Sequence, residues 1–166
     1  MKKTVRYLTF SAVLAALSCV SCLLLGFPIA YGYVNPSDVF TLLAGFLLPM
    51  PYGIAAAALG GAIADLLLGY VYYAPATFVI KGVMALIAYL LVGRRLARKK
   101  KAMLWAFLAA GIASVWLALG YFAFEAVLYG FFAALPQVLL NLLQGVICSA
   151  AAIAVLSILH KRHIRA

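Results

Sequence analysis

Twelve of the thirteen lysines and arginines fall into three clusters, and the long stretches between the clusters are dominated by apolar residues. Lys2, Lys3 and Arg6 come first, Arg94, Arg95, Arg98, Lys99, Lys100 and Lys101 form one block, and Lys161, Arg162 and Arg165 come last. Lys81 alone stands apart. Runs this apolar belong in lipid: 69% of residues are hydrophobic, 10% are charged and the mean hydropathy is +1.17. A hydrocarbon core of roughly 30 Å takes about 20 residues per helix. The 166 residues therefore predict a single transmembrane domain over 1–166, an all-α bundle of six helices with no room for a soluble domain.

The charge pattern also sets an orientation. Cations in short loops stay on the cytoplasmic side, which places all three clusters and both termini inside. Four spans then separate the first two clusters, and two separate the last two. A net charge of +10 raises the question of nucleic acid. Its confinement to juxtamembrane blocks reads instead as a topology signal attracted to anionic lipid heads. The first apolar run, Tyr7 to Phe27, is too long for a secretory h-region and no A-x-A site follows, so it reads as an uncleaved helix. Cys19-Val-Ser-Cys22 matches C-x-x-C but lies inside that run with no βαβ context, so the expectation there is packing rather than redox chemistry.

Helices are predicted at about 7–27, 38–48, 52–71, 75–92, 103–129 and 135–160. The loop after the first helix is aromatic, Tyr31-Gly-Tyr33-Val-Asn-Pro36, with Ser37 or Asn35 as cap for the second helix and Asp38 complementing its dipole. Pro49-Met-Pro51-Tyr-Gly53 joins the second and third helices in one tight turn. Pro136 is expected near the first turn of the sixth.

Spacing of four along the third helix aligns Gly53, Ala57, Gly61, Asp65 and Gly69, a stripe that lets another helix approach closely. Asp65 and Lys81 are charges inside spans, each costing about 2.5 to 3.5 kcal/mol on insertion scales unless partnered. Each lies six residues from the loop joining the third and fourth helices, so the two share a depth of about 9 Å. Either they form an ion pair, or Lys81 is left for a ligand. Gln137, Asn141 and Gln144 make one polar face on the sixth helix, and Glu125 lies near the end of the fifth. Seven of the ten tyrosines, Tyr31, Tyr33, Tyr70, Tyr72, Tyr73, Tyr121 and Tyr129, fall at the same end. Stacking faces with a few placed polar groups suit a flat ring, so the expected ligand site lies there, beneath the first loop as a lid. No H-E-x-x-H, G-x-S-x-G or phosphate-cradling loop is present, and His160 and His163 belong to the basic tail. No catalytic residue, metal site or cofactor is expected.

Gly-Tyr-Val-Asn-Pro-Ser-Asp-Val-Phe from Gly32, Leu-Leu-Ala-Gly-Phe-Leu-Leu-Pro-Met-Pro-Tyr-Gly from Leu42, Ala-Asp-Leu-Leu-Leu-Gly-Tyr from Ala64 and Ala-Pro-Ala-Thr-Phe-Val-Ile-Lys-Gly from Ala74 resemble the S components of energy-coupling factor (ECF) vitamin transporters. The Pro49-Met-Pro51 turn departs from the glycine-proline turn of many members. The resemblance implies a substrate-binding subunit in the bacterial plasma membrane, without ATPase activity of its own. Its partners would be a transmembrane coupling subunit, two cytoplasmic ATPases, membrane lipid and a small vitamin. Ala12 and Ala16 look like the family's docking motif for the coupling subunit. The implied substrate contacts are Lys81, Asn141, Glu125 and Asn35, with Tyr73 and Gln137 beside them. Pyrimidine or pyridoxine-type vitamins are the favoured substrates, with riboflavin next. An assembly protein with no small-molecule ligand, a self-sufficient carrier and a lipid-modifying enzyme are the readings from other classes.

Overall fold

A computed structural model describes residues 2–93 and 102–165; the basic block at Arg94 to Lys101, on which the predicted orientation leans, lies outside the described residues. Six α-helices follow one another: α1 (Lys2–Leu25), α2 (Asp38–Leu47), α3 (Tyr52–Leu67), α4 (Ala74–Ala88), α5 (Ala102–Tyr129) and α6 (Phe131–Arg165). A π-helical turn, Tyr89–Gly93, extends α4. Among the described residues, four segments are long and apolar enough to cross a membrane: Lys3–Leu25, Ala74–Gly93, Met103–Tyr129 and Phe131–Leu159. The 10 residues of α2 and 16 of α3 are shorter than a full span.

Three local features depart from the sequence expectations. The loop after α1 is a small antiparallel hairpin, β1 (Phe27–Pro28) with β2 (Tyr33–Val34), in which Phe27 faces Val34 and Pro28 faces Tyr33. Its turn closes through Ile29 N–H donating to the Gly32 carbonyl at 3.1 Å, with Gly32 at φ 78°. A two-residue strand containing proline carries no alternating pattern to read. The second departure is the end of α3, which stops at Leu67 rather than near Val71. Gly69 at φ 85° lets Tyr70 N–H donate to the Asp65 carbonyl at 2.8 Å and Gly69 N–H donate to Leu66 at 3.3 Å. These two bonds make a Schellman ending, which fixes Asp65 in the last turn. Finally, α6 begins at Phe131 after the single residue Gly130 at φ 95°, so Pro136 lies inside the helix rather than in its first turn.

Close packing follows the small residues. A Cβ on Gly45 would lie 2.4 Å from the Ala85 carbonyl oxygen, and one on Gly53 would lie 2.5 Å from that of Ala44. Gly60 meets α1 at the Ala15 carbonyl, while Gly61, on the neighbouring face, admits the aliphatic stem of Lys81. The predicted stripe therefore faces α2 and α4, except that Gly69 meets nothing and serves the helix ending. The apolar core joins Leu42, Phe46, Ile80, Met84, Leu117 and Leu156 with alanines of α4, α5 and α6. All polar side chains discussed below cluster at one end, where α1, α3 and α5 finish and α2, α4 and α6 begin.

Candidate ligand site

Lys81, two turns into α4 on its buried face, is 1% exposed. Its ammonium donates to Asp38 Oδ1 at 2.8 Å and to the Ser37 hydroxyl. Asp38 is fully buried, and this is the ion pair among the described residues. The pair with Asp65 allowed by the sequence does not form: the Lys81 stem crosses α3 at Gly61 and carries the charge on to the start of α2. Equal depth was a sound inference for Asp65, but rotation about the helix axes decided the partner.

The pair is embedded in a network that joins four helices. Gln144 on α6 donates Nε2–H to Asp38 Oδ2 at 2.5 Å and accepts the Asn35 backbone N–H at 2.8 Å. Asn35 Oδ1 accepts from Ser37 N–H, the Ser37 hydroxyl and the Cys22 thiol. Asp38 lies in the first turn of α2 as the sequence predicts, while its carboxylate also holds Lys81 and Gln144. Ser37 occupies the cap position of α2 without a side-chain cap bond, because its hydroxyl links Lys81 to Asn35.

Above this network, the hairpin closes a cavity of about 20 Å³, a volume on the scale of one water. Its wall includes Tyr31, Tyr33, Asn35, Asp65, Tyr73, Thr77, Lys81, Tyr121, Glu125, Asn141 and Gln144. Tyr33 donates its hydroxyl to Asp65 Oδ1 at 2.6 Å, and burial keeps that phenol well above the usual tyrosine range, so it stays protonated. Tyr73 donates to Glu125 Oε1 at 3.3 Å, and Thr77 and Tyr121 share a bond of 2.9 Å. Asp65 and Glu125 are each 2% exposed, and their second oxygens have no partner among the described residues.

Five of the six substrate contacts expected from sequence, Lys81, Asn141, Glu125, Asn35 and Tyr73, line this cavity. Gln137 does not; its amide donates to the Tyr31 carbonyl at 3.3 Å and tethers the hairpin, helped by Tyr31 stacking on Tyr129 at 4.3 Å. Tyr72 is 83% exposed and lies away from the cavity, as an interfacial aromatic does. Sequence reasoning left out Asp38, Thr77 and Gln144 as site residues. Gln144 shared the polar face with Gln137 and Asn141, and that periodicity was the available signal. Ala12 and Ala16 lie exposed on α1, on the face turned away from the Ala15 and Ser18 contact with α3.

Against known proteins, the family described as "ECF-type riboflavin transporter, S component" matches residues 2–161. None of the curated proteins matches the chain. The match takes in α1 to α5, α6 as far as residue 161 and every residue of the cavity wall, and the chain belongs to the ECF-type riboflavin transporter S-component family.

Proposed function

We propose that this S component captures a small heteroaromatic vitamin or precursor in the cavity beneath the β1–β2 hairpin and delivers it for ATP-driven uptake. The observation that carries this reading is the concentration of buried polar groups and tyrosine faces at one end of an otherwise apolar bundle. Apolar walls with a few placed polar atoms fix the orientation of a flat ring. Tyr73 and Tyr121 supply ring faces, Asn141 supplies an amide, and Lys81 and Asn35 hold the floor of the site. Ligand entry requires the hairpin to lift, which breaks the Tyr33 to Asp65 and Gln137 to Tyr31 bonds and separates Tyr31 from Tyr129.

A single pyrimidine or pyridine ring needs less expansion of this water-sized cavity than a fused-ring ligand does, and this favours a pyrimidine or pyridoxine-type substrate. Riboflavin is the second reading, favoured by the description of the matched family. Its three fused rings require a larger opening of the hairpin. Thermal unfolding in detergent against both classes of compound decides between them, because a ligand bound only to the folded state raises Tm by mass action. A shift with pyridoxine or an aminopyrimidine alone supports the first reading; a shift with riboflavin alone replaces it.

The rest of the assembly follows from the same reading. In this reading all six helices are spans, two of them short, both termini are cytoplasmic, and the hairpin faces the outside of the bacterial plasma membrane. The open face of α1 at Ala12 and Ala16 suits close approach by a transmembrane coupling subunit, whose two ATPases supply the energy this chain does not. Ala16→Trp is expected to abolish co-purification with the coupling subunit while leaving vitamin binding intact. Loss of both together removes the docking assignment.

A further inference from the structure

The buried side-chain atoms of the cavity wall that lack a partner among the described residues are both carboxylate oxygens. The Tyr33 and Tyr73 phenols, each with one proton, are engaged by Asp65 and Glu125. Lys81 is directed at Asp38 and Ser37, and its charge is matched there. Left over are Glu125 Oε2 and Asp65 Oδ2, both buried; the Thr77 hydroxyl, shared with Tyr121, neighbours the Asp65 carboxyl but makes no hydrogen bond to Oδ2. A buried acceptor with no donor is costly, more so when it belongs to a carboxylate. Asp65 also lies in the last turn of α3, beside the negative end of its own helix dipole. Each acid binds a tyrosine through one oxygen only, so a donor supplied by the ligand is the economical explanation for the second.

We infer that Asp65 and Glu125 together receive an amino-bearing or protonated-nitrogen group of the heteroaromatic ligand, and that the site excludes the corresponding phosphate esters and carboxylates. This rests on the substrate-binding reading above and narrows its substrate class. An anionic ligand would meet two carboxylates in a site whose one lysine is already paired, and such like-charge contact disfavours binding.

The test is titration calorimetry on the detergent-purified full chain with matched probes: pyridoxamine against pyridoxine and pyridoxal 5′-phosphate, 4-amino-5-hydroxymethyl-2-methylpyrimidine against its 4-hydroxy analogue and its phosphate, and riboflavin. The amino member of a pair is expected to bind at least about tenfold more tightly than its hydroxyl analogue, the phosphate not at all. Glu125→Gln should remove at least about tenfold in affinity for the amino compound and change that of the hydroxyl analogue by less than about threefold. Asp65→Asn should do the same; because it also alters the Tyr33 bond, Glu125→Gln and the wild-type probe series decide the matter if that variant fails to fold. Equal affinity for amino and hydroxyl members, binding of a phosphate ester, or tight binding of riboflavin without any amino compound each overturns this assignment and leaves the S-component reading standing. Failure of every probe, riboflavin included, brings down the small heteroaromatic reading and this assignment with it.

Discussion

The two ends of the bundle are held together by different physics. At the cavity end, α2, α4 and α6 meet through the Lys81–Asp38 pair and the Gln144 amide. Toward the other end, α2 and α4 meet at Gly45 and Ala85, and α5 and α6 bury Ala106, Ala109, Ala113 and Ala152 in close contact. Lipid tails are as apolar as leucine, so no hydrophobic drive gathers helices within a membrane, and close van der Waals approach takes its place. Alanines and glycines suffice for that. A buried ion pair contributes little net stability after desolvation, yet removing one partner is severe. The difference teaches that the far end is built for cohesion, whereas the cavity end accepts polar burial, as the proposed ligand site requires.

The sharpest way to break this comparison is at Lys81. Lys81→Met leaves Asp38 buried and without its counter-charge, and is expected to destabilise the protein by about 3–5 kcal/mol. The double variant Lys81→Met with Asp38→Leu should recover most of that loss, because the lone charge is gone. Thermal unfolding of both variants in one detergent, without ligand, reads the two values. A single variant as stable as wild type would mean that the ion pair does not organise this end.

At the far end the corresponding change is Gly45→Ala. Its methyl would lie 2.4 Å from the Ala85 oxygen and 2.6 Å from the Ala88 Cβ, so α2 and α4 must separate. Overpacking of this kind costs about 1–3 kcal/mol, to be measured by the same unfolding experiment. Tyr33→Phe comes next, at about 1–2 kcal/mol, since it strands a second oxygen of Asp65. Its more telling readout is amide exchange over residues 27–34, which should accelerate as the hairpin loses a tether. Unaltered exchange there would show that Tyr33 does not hold the lid.

How much of this was legible in the sequence divides along the same line. Apolar runs, proline punctuation and the glycine stripe located the helices, because hydropathy and backbone restriction act locally. The shared depth of Asp65 and Lys81 followed from counting along helices, and both line the cavity wall together with Glu125 and Asn141. The partner of Lys81 was not legible, since choosing Asp38 over Asp65 depends on how α4 is rotated and on the groove at Gly61. The early end of α3 depended on Gly69 adopting a left-handed conformation, which glycine permits but does not require. The hairpin was invisible for want of length.

The smallest expected effect is also the control for the far end. Gly111 lies on the exposed face of α5, and a Cβ there would meet nothing within 4 Å. Gly111→Ala therefore adds helix propensity without overlap, a gain of no more than about 1 kcal/mol on scales measured in water. Glycine is better tolerated in membrane helices than in soluble ones, which pulls the expectation toward the lower part of that range. The same chemical change at Gly45 and Gly111 should thus move Tm in opposite directions, down at the first and slightly up at the second. If both fall together, the loss reflects a general intolerance of added methyl groups in this bundle. If both are neutral, the close approach of α2 to α4 is not what holds the far end, and the contrast with the polar cavity end loses its basis.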